Sequence, residues 1–283
     1  MCGSRRLVIA GLVLTLFFPI LTELRGQKTQ QADAAGAYWG FDRNEYPGDE
    51  AMAMLRKQFT FVGFWLSPPP GGKTNSWTGK REKLAAQRYG FVLLYAGRPG
   101  SSRKSAQAGS AAGEADAKRA VELARNEGFG EGWTIFLDIE EGGRFSDAGQ
   151  AYFRAWAQSV VQHKYRPGFY CSGMVVNEEG GTKVISADDI RAHLGTDDAA
   201  YWVFNDGCPP SPGCENVKEV PLPAVSGVAY AAVWQITRTP KESTARNCAG
   251  YANDKGCYAA IDNAKNWFLD LDVASTASPS APK

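Results

Sequence analysis

Three apolar stretches of this sequence stop on a carboxylate: Trp39-Gly-Phe-Asp42, Ile135-Phe-Leu-Asp138-Ile-Glu140 and Ala260-Ile-Asp262. Side chains alternate along a strand, so Asp138 and Glu140 share one face about 7 Å apart along the chain while Ile139 turns to the other. Two carboxyls that close cannot both ionise easily, so one keeps a proton while the other stays charged. Glycoside hydrolysis needs that division, a protonated carboxyl for the leaving oxygen and an ionised one beside it. Asp42, ending a different strand, would stand across from the pair, whereas Glu141 faces away. The competing reading is an acidic cluster that is structural or binds a cation.

Trp65, Tyr95, Tyr170, Trp202 and Trp234 lie near the ends of five separate strand-like runs, where flat rings could stack on sugar faces. Other chemistries find less support. His163 and His193 fall outside any zinc-binding spacing, and neither a metal nor a cofactor is expected. Gly72-Lys73-Thr74 looks like the end of a phosphate loop, but Ser67 stands where its first glycine belongs, and Pro68, Pro69 and Pro70 offer no N–H. Ser172 lies in no GxSxG context.

The elements that would position these residues are eight strand-length runs at 38–42, 59–66, 91–97, 133–140, 168–171, 201–205, 232–236 and 258–262. Helical patterns at 49–57, 80–89, 114–126, 148–163 and 187–194 separate the earlier ones, with Asp147 and Ser186 suited to N-capping. Alternating strands and helices imply parallel strands joined by crossovers. Eight of them suit an irregular α/β barrel of the (β/α)8 type, with strand C-termini facing the site. After Asn205 the connections lose helical periodicity, so the last third reads as a barrel with outer helices replaced by loops. Loop 67–78 would overhang the mouth. An open doubly wound sheet is the alternative, but it would need a glycine-rich first turn that is absent here.

The chain has 283 residues, 44% hydrophobic and 22% charged, and 31 basic against 30 acidic side chains leave a net charge of +1. That balance provides no field to attract a nucleic acid, and none is expected as a partner. Arg5 and Arg6 precede the uncharged residues 7–21, and Glu23, Arg25 and Gln27 come after it, the layout of an export signal over residues 1–26. Its apolar run is short for a membrane span. Both the general secretory and the twin-arginine routes fit, and cleavage could fall as late as residue 34. An uncleaved anchor is the alternative. Cys208 with Cys214, and Cys248 with Cys257, form two close pairs suited to disulfide staples in an oxidising compartment. Cys171 is left single, as a small buried hydrophobe. The domain would span 37–272, with 273–283 a loose Ala/Ser/Pro tail.

The segments Gly40-Phe-Asp42-Arg43, Phe61-Val-Gly-Phe-Trp65, Gly90-Phe-Val-Leu-Leu-Tyr95, Phe136-Leu-Asp138-Ile-Glu140 and Gly168-Phe-Tyr170 resemble, in that order, the glycoside-hydrolase-like domain family of exported bacterial proteins. That family is similar to the family-25 lysozymes, whose last strands carry Trp-Gln and Val-Asp-x-Asn, as Trp234-Gln235 and Ile261-Asp262-Asn263 do here. The resemblance covers residues 37–270. It implies Glu140 as general acid, Asp138 as its partner, Asp42 and Asp262 completing an acidic floor, and Gln235 binding substrate. The implied protein is a monomer cutting a carbohydrate polymer, peptidoglycan or a related amino-sugar glycan. A non-catalytic carbohydrate-binding or cell-envelope module on the same barrel is the rival.

Overall fold

The computed structural model describes residues 36–98, 104–205, 220–237, 259–262, 265–267 and 269–283. The segment expected to be an export signal, and Cys208, Cys214, Cys248 and Cys257, lie outside the described residues. Strands β1 (Tyr38–Asp42), β2 (Phe61–Trp65), β3 (Gly90–Ala96), β4 (Thr134–Asp138), β5 (Arg166–Ser172), β8 (Ala200–Phe204), β9 (Val233–Thr237) and β12 (Asp270–Ala274) form a closed barrel in the order β1-β12-β9-β8-β5-β4-β3-β2. The first seven correspond to expected strands and run parallel.

The eighth does not. The run expected to close the barrel forms β10 (Ala259–Asp262), which pairs with β11 (Lys265–Trp267) in a separate two-stranded sheet. Closure falls instead to β12, antiparallel to both β1 and β9. Its sequence, Asp270-Leu-Asp272-Val-Ala274, alternates polar and apolar residues with the period of a strand that presents two faces.

Helices α1 (Asp49–Leu55), α2 (Arg81–Ala86), α3 (Ala106–Asn126), α4 (Asp147–Gln162) and α5 (Ser186–Leu194) cover the outside. The caps differ from expectation. Ser146 Oγ accepts from Gly149 N at 3.2 Å, leaving Asp147 inside the first turn of α4, and Ser186 lies within α5 and donates to Gly143 O at 3.1 Å. A hairpin of β6 (Val175–Asn177) and β7 (Lys183–Ile185) precedes α5. The core between barrel and helices is largely aromatic, with Phe64 edge-on to Trp77, Phe91 and Phe129, and Phe153 edge-on to Phe169. Trp77 pins the 67–78 loop to this layer, its Nε1 donating to Arg43 O and Asn44 O. Cys171 is fully buried, as expected of a small hydrophobe. No helix among the described residues is long and apolar enough to cross a membrane.

Residues 275–283 are not loose. Ser280 is fully buried, its Oγ accepts from Leu93 N at 2.9 Å, and its backbone donates to Phe91 O and accepts from Thr134 N. Ser278 Oγ accepts from Phe91 N. The segment thus completes the hydrogen bonding of β3 and β4 at their starting ends, before their mutual pairing begins at Leu93 and Ile135. Ala, Ser and Pro, poor in apolar bulk, gave no sign of this because the anchoring works through hydroxyls and backbone.

Candidate active site

Seven parallel strands bring their C-termini to one rim, and the antiparallel β12 brings its N-terminus there. Register sets Asp42 opposite Asp270 and Gly40 opposite Asp272. Because alternate residues share a face, Asp270 and Asp272 both turn inward beside Asp42. On β4, Ala96 of β3 lies beside Asp138, and Leu94 lies beside both Phe136 and Trp65, so Trp65 and Asp138 share the inner face. Trp202 and Tyr170 also meet inside, with ring centroids 4.9 Å apart.

Polar contacts fix the floor. Tyr170 OH donates to Gln235 Oε1 at 2.8 Å, and Gln235 Nε2 donates to Asp42 Oδ2 at 2.8 Å. Trp202 Nε1 donates to Asp272 Oδ1 at 3.0 Å. Gly63 is required for this packing, because a Cβ there would lie 2.4 Å from Asp42 Cβ and 3.2 Å from its Cα. A Gly63→Ala variant is expected to lose about 1–3 kcal/mol of stability and to displace Asp42. Thermal melts would register the loss, and a variant with unchanged melting would refute the close approach.

The carboxyls are electrostatically unequal. Burial, then the charge of Glu140, pushes Asp138 up to about 8, although part of the residue still meets solvent at the rim. Glu140 itself is exposed. Burial foremost, then the charges of Asp270 and Asp138, holds Asp42 well above the usual carboxylate range, against the lowering effect of Gln235 and Asp272. Asp272 is raised in the same way by burial, Asp42 and Asp270, against its bond from Trp202. Burial and the four aspartates raise the Tyr170 phenol as well, so it remains a donor.

The loop leaving Glu140 is held from outside the barrel. Arg144 N donates to Glu178 Oε1 at 2.8 Å, Phe145 N to Asp189 Oδ2 at 3.0 Å, and Ser186 Oγ to Gly143 O. The β6–β7 hairpin and the start of α5 therefore set where Glu140 stands.

The structure gathers Asp42, Asp138, Tyr170, Trp202 and Gln235 into one mouth, with Glu140 at its edge and Trp65 on the inner face. It does not gather Tyr95 or Trp234. Tyr95 lies beside Leu137 on the outer face and stacks on Trp156 of α4 at 5.6 Å. Trp234, one residue from the inward Gln235, donates to Asn205 O. Strand parity decides both cases, since proximity to a strand end does not say which face a ring takes. Asp262 lies on β10, outside the barrel sheet. Its expected place in the floor falls to Asp270 and Asp272, whose Asp-x-Asp alternation repeats that of Asp138 and Glu140 and was the available signal.

A closed α/β barrel with one antiparallel strand and a carboxylate-lined mouth is thus the frame. Residues 54–221 match the family described as Rv2525c-like, glycoside hydrolase-like domain, and the chain belongs to that family. The matched stretch contains Asp138, Glu140, Tyr170 and Trp202. None of the curated proteins matches. Among solved structures, an uncharacterised protein of B. stearothermophilus is 18% identical, with a TM-score of 0.56 over 84% of this chain and 95% of that one. The Tat-secreted protein Rv2525c of Mycobacterium tuberculosis, in complex with L-tartrate, is 16% identical, with a TM-score of 0.50 over 85% of this chain and 94% of that one. A family 25 glycosyl hydrolase from Bacillus anthracis is 15% identical, with a TM-score of 0.49 over 84% and 88%. At these identities the likeness is one of fold.

Proposed function

We propose that this protein is an exported glycoside hydrolase acting on peptidoglycan or a related amino-sugar polymer. The observation that carries the reading is Asp138, whose carboxyl is held up to about 8 by burial and by the charge of Glu140 beside it at an open rim, next to a floor of further carboxylates. The exposed neighbour, Glu140, is the one within reach of a glycosidic oxygen, and Asp138 below it is the proton reserve. Asp42, oriented by Gln235, is the acceptor across the mouth. Tyr170, partly exposed, is the aromatic ring of the mouth, with the buried Trp202 packed edge-on behind it. Export is supported by the arginine-led apolar segment at the start of the sequence and by the secretion of the Mycobacterium tuberculosis relative.

Incubation of the protein lacking residues 1–26 with purified peptidoglycan and with chitin oligomers tests the proposal. Release of reducing sugar, with mass spectrometry naming the new reducing end, is the expected result. Binding without release from pH 4 to pH 9 would leave the carbohydrate-binding module as the function.

A further inference from the structure

The floor of the mouth contains a buried carboxylate oxygen that no donor reaches. Asp272 is fully buried, and while its Oδ1 accepts from Trp202, its Oδ2 meets no hydrogen-bond donor among the described residues. A buried acceptor left in that state is destabilising, more so if it is charged. Its neighbour is another carboxyl: Asp272 stands diagonally from Asp42 across the β1–β12 pairing, on the same inward face. Two ionised carboxylates cannot satisfy each other, because each only accepts. One proton between them removes the deficit.

We propose that Asp42 and Asp272 share a single proton, carried on Asp272 Oδ2 and donated to Asp42, and that Asp272 is thereby the positioning residue that keeps Asp42 ionised at the floor of the site. The flanking donors agree with that placement. Trp202 N–H occupies the other oxygen of Asp272, and Gln235 N–H supports the charge on Asp42. The other titratable groups facing the pair are Asp270 on the same strand, Asp138 on β4 and Tyr170 on β5. The two aspartates oppose a second charge on the floor, and the phenol remains neutral. The role given to Asp42 rests on the glycosidase reading, whereas the shared proton does not.

Carbon-13 NMR of protein labelled at the aspartate carboxyls, titrated from pH 4 to pH 9, tests this without requiring turnover. The expected wild-type result is one aspartate besides Asp138 that stays protonated at pH 7. In Asp272→Asn, that resonance should vanish while Asp42 stays ionised, because the amide N–H replaces the donated O–H. In Asp272→Leu, Asp42 loses its donor and should titrate at higher pH. If Asp272→Asn does not fold, Trp202→Phe, which removes the donor to Oδ1, should move the pair's protonation to higher pH. A wild type with only Asp138 protonated at pH 7, or an Asp272→Asn protein that keeps the second protonated resonance, would overturn the proposal. Should turnover be found, Asp272→Asn should keep the wild-type pH profile and Asp272→Leu should shift it. Absence of turnover in every form would count against the hydrolase and leave the pair standing.

Discussion

Turnover of peptidoglycan by Glu140→Gln is expected to fall by about 10²–10⁴-fold, the usual contribution of a positioned acid, with glycan affinity changed only a few-fold. Glu140 is exposed and its loop is anchored by backbone bonds to Glu178 and Asp189, so the substitution disturbs little packing. The pH dependence comes from its neighbour. Asp138 keeps its proton until about pH 8, so wild-type activity should hold through neutrality and decline as the pH rises through about 8, when Asp138 ionises. Asp138→Asn should remove that descending limb. The same group carries a stability signature. The folded protein binds this proton more tightly than the unfolded chain, so wild-type stability should fall as the pH rises from about 4 to about 8. Above that range Asp138→Asn should melt at a higher temperature than the wild type. Full activity in Glu140→Gln would remove that residue from the reaction.

A chain ending at residue 274 is expected not to fold. Removing residues 275–283 strips partners from Phe91 N, Phe91 O, Leu93 N and Thr134 N, all at buried residues. Each orphaned group costs about 1–3 kcal/mol, so the sum is comparable to the whole stability of an ordinary domain, about 5–15 kcal/mol. Near-ultraviolet circular dichroism and the loss of a cooperative melt would show this. Gly90→Ala is the milder version, because its Cβ would meet Ala277 O at 1.8 Å and push the segment off without deleting it. A truncated protein that melts like the full chain would show the segment to be dispensable.

The parallel strands were legible because each is a dense apolar run between polar breaks, and such runs are what a barrel wall buried on both sides requires. Asp42, Asp138 and Glu140 were legible for the same reason, each standing out against apolar neighbours. β12 was not, since its two aspartates dilute a five-residue strand until it resembles a polar linker, and Tyr258–Asp262 offered a stronger apolar pattern nearby. Burying Asp272 makes sense only once Trp202, Asp42 and Gln235 surround it, and those partners come from β8, β1 and β9. No local pattern in the sequence encodes that meeting. Tyr95 shows the converse, a ring correctly placed near a strand end whose parity sends it into the helix layer against Trp156.

The antiparallel β12 also fixes the order in which the molecule can assemble. β1 is the first strand of the barrel to leave the ribosome and β12 the last, yet they are neighbours, with Tyr38 paired to Ala274. Until that pairing forms, β1 and β9 are open edges with unpaired backbone groups. Joining them closes the largest loop in the chain, which makes it a slow, late step. Asp270 and Asp272 arrive on that same strand, so a growing chain has neither a sealed barrel nor the lower half of its acidic floor. The chemistry and the fold are completed together in the final folding event.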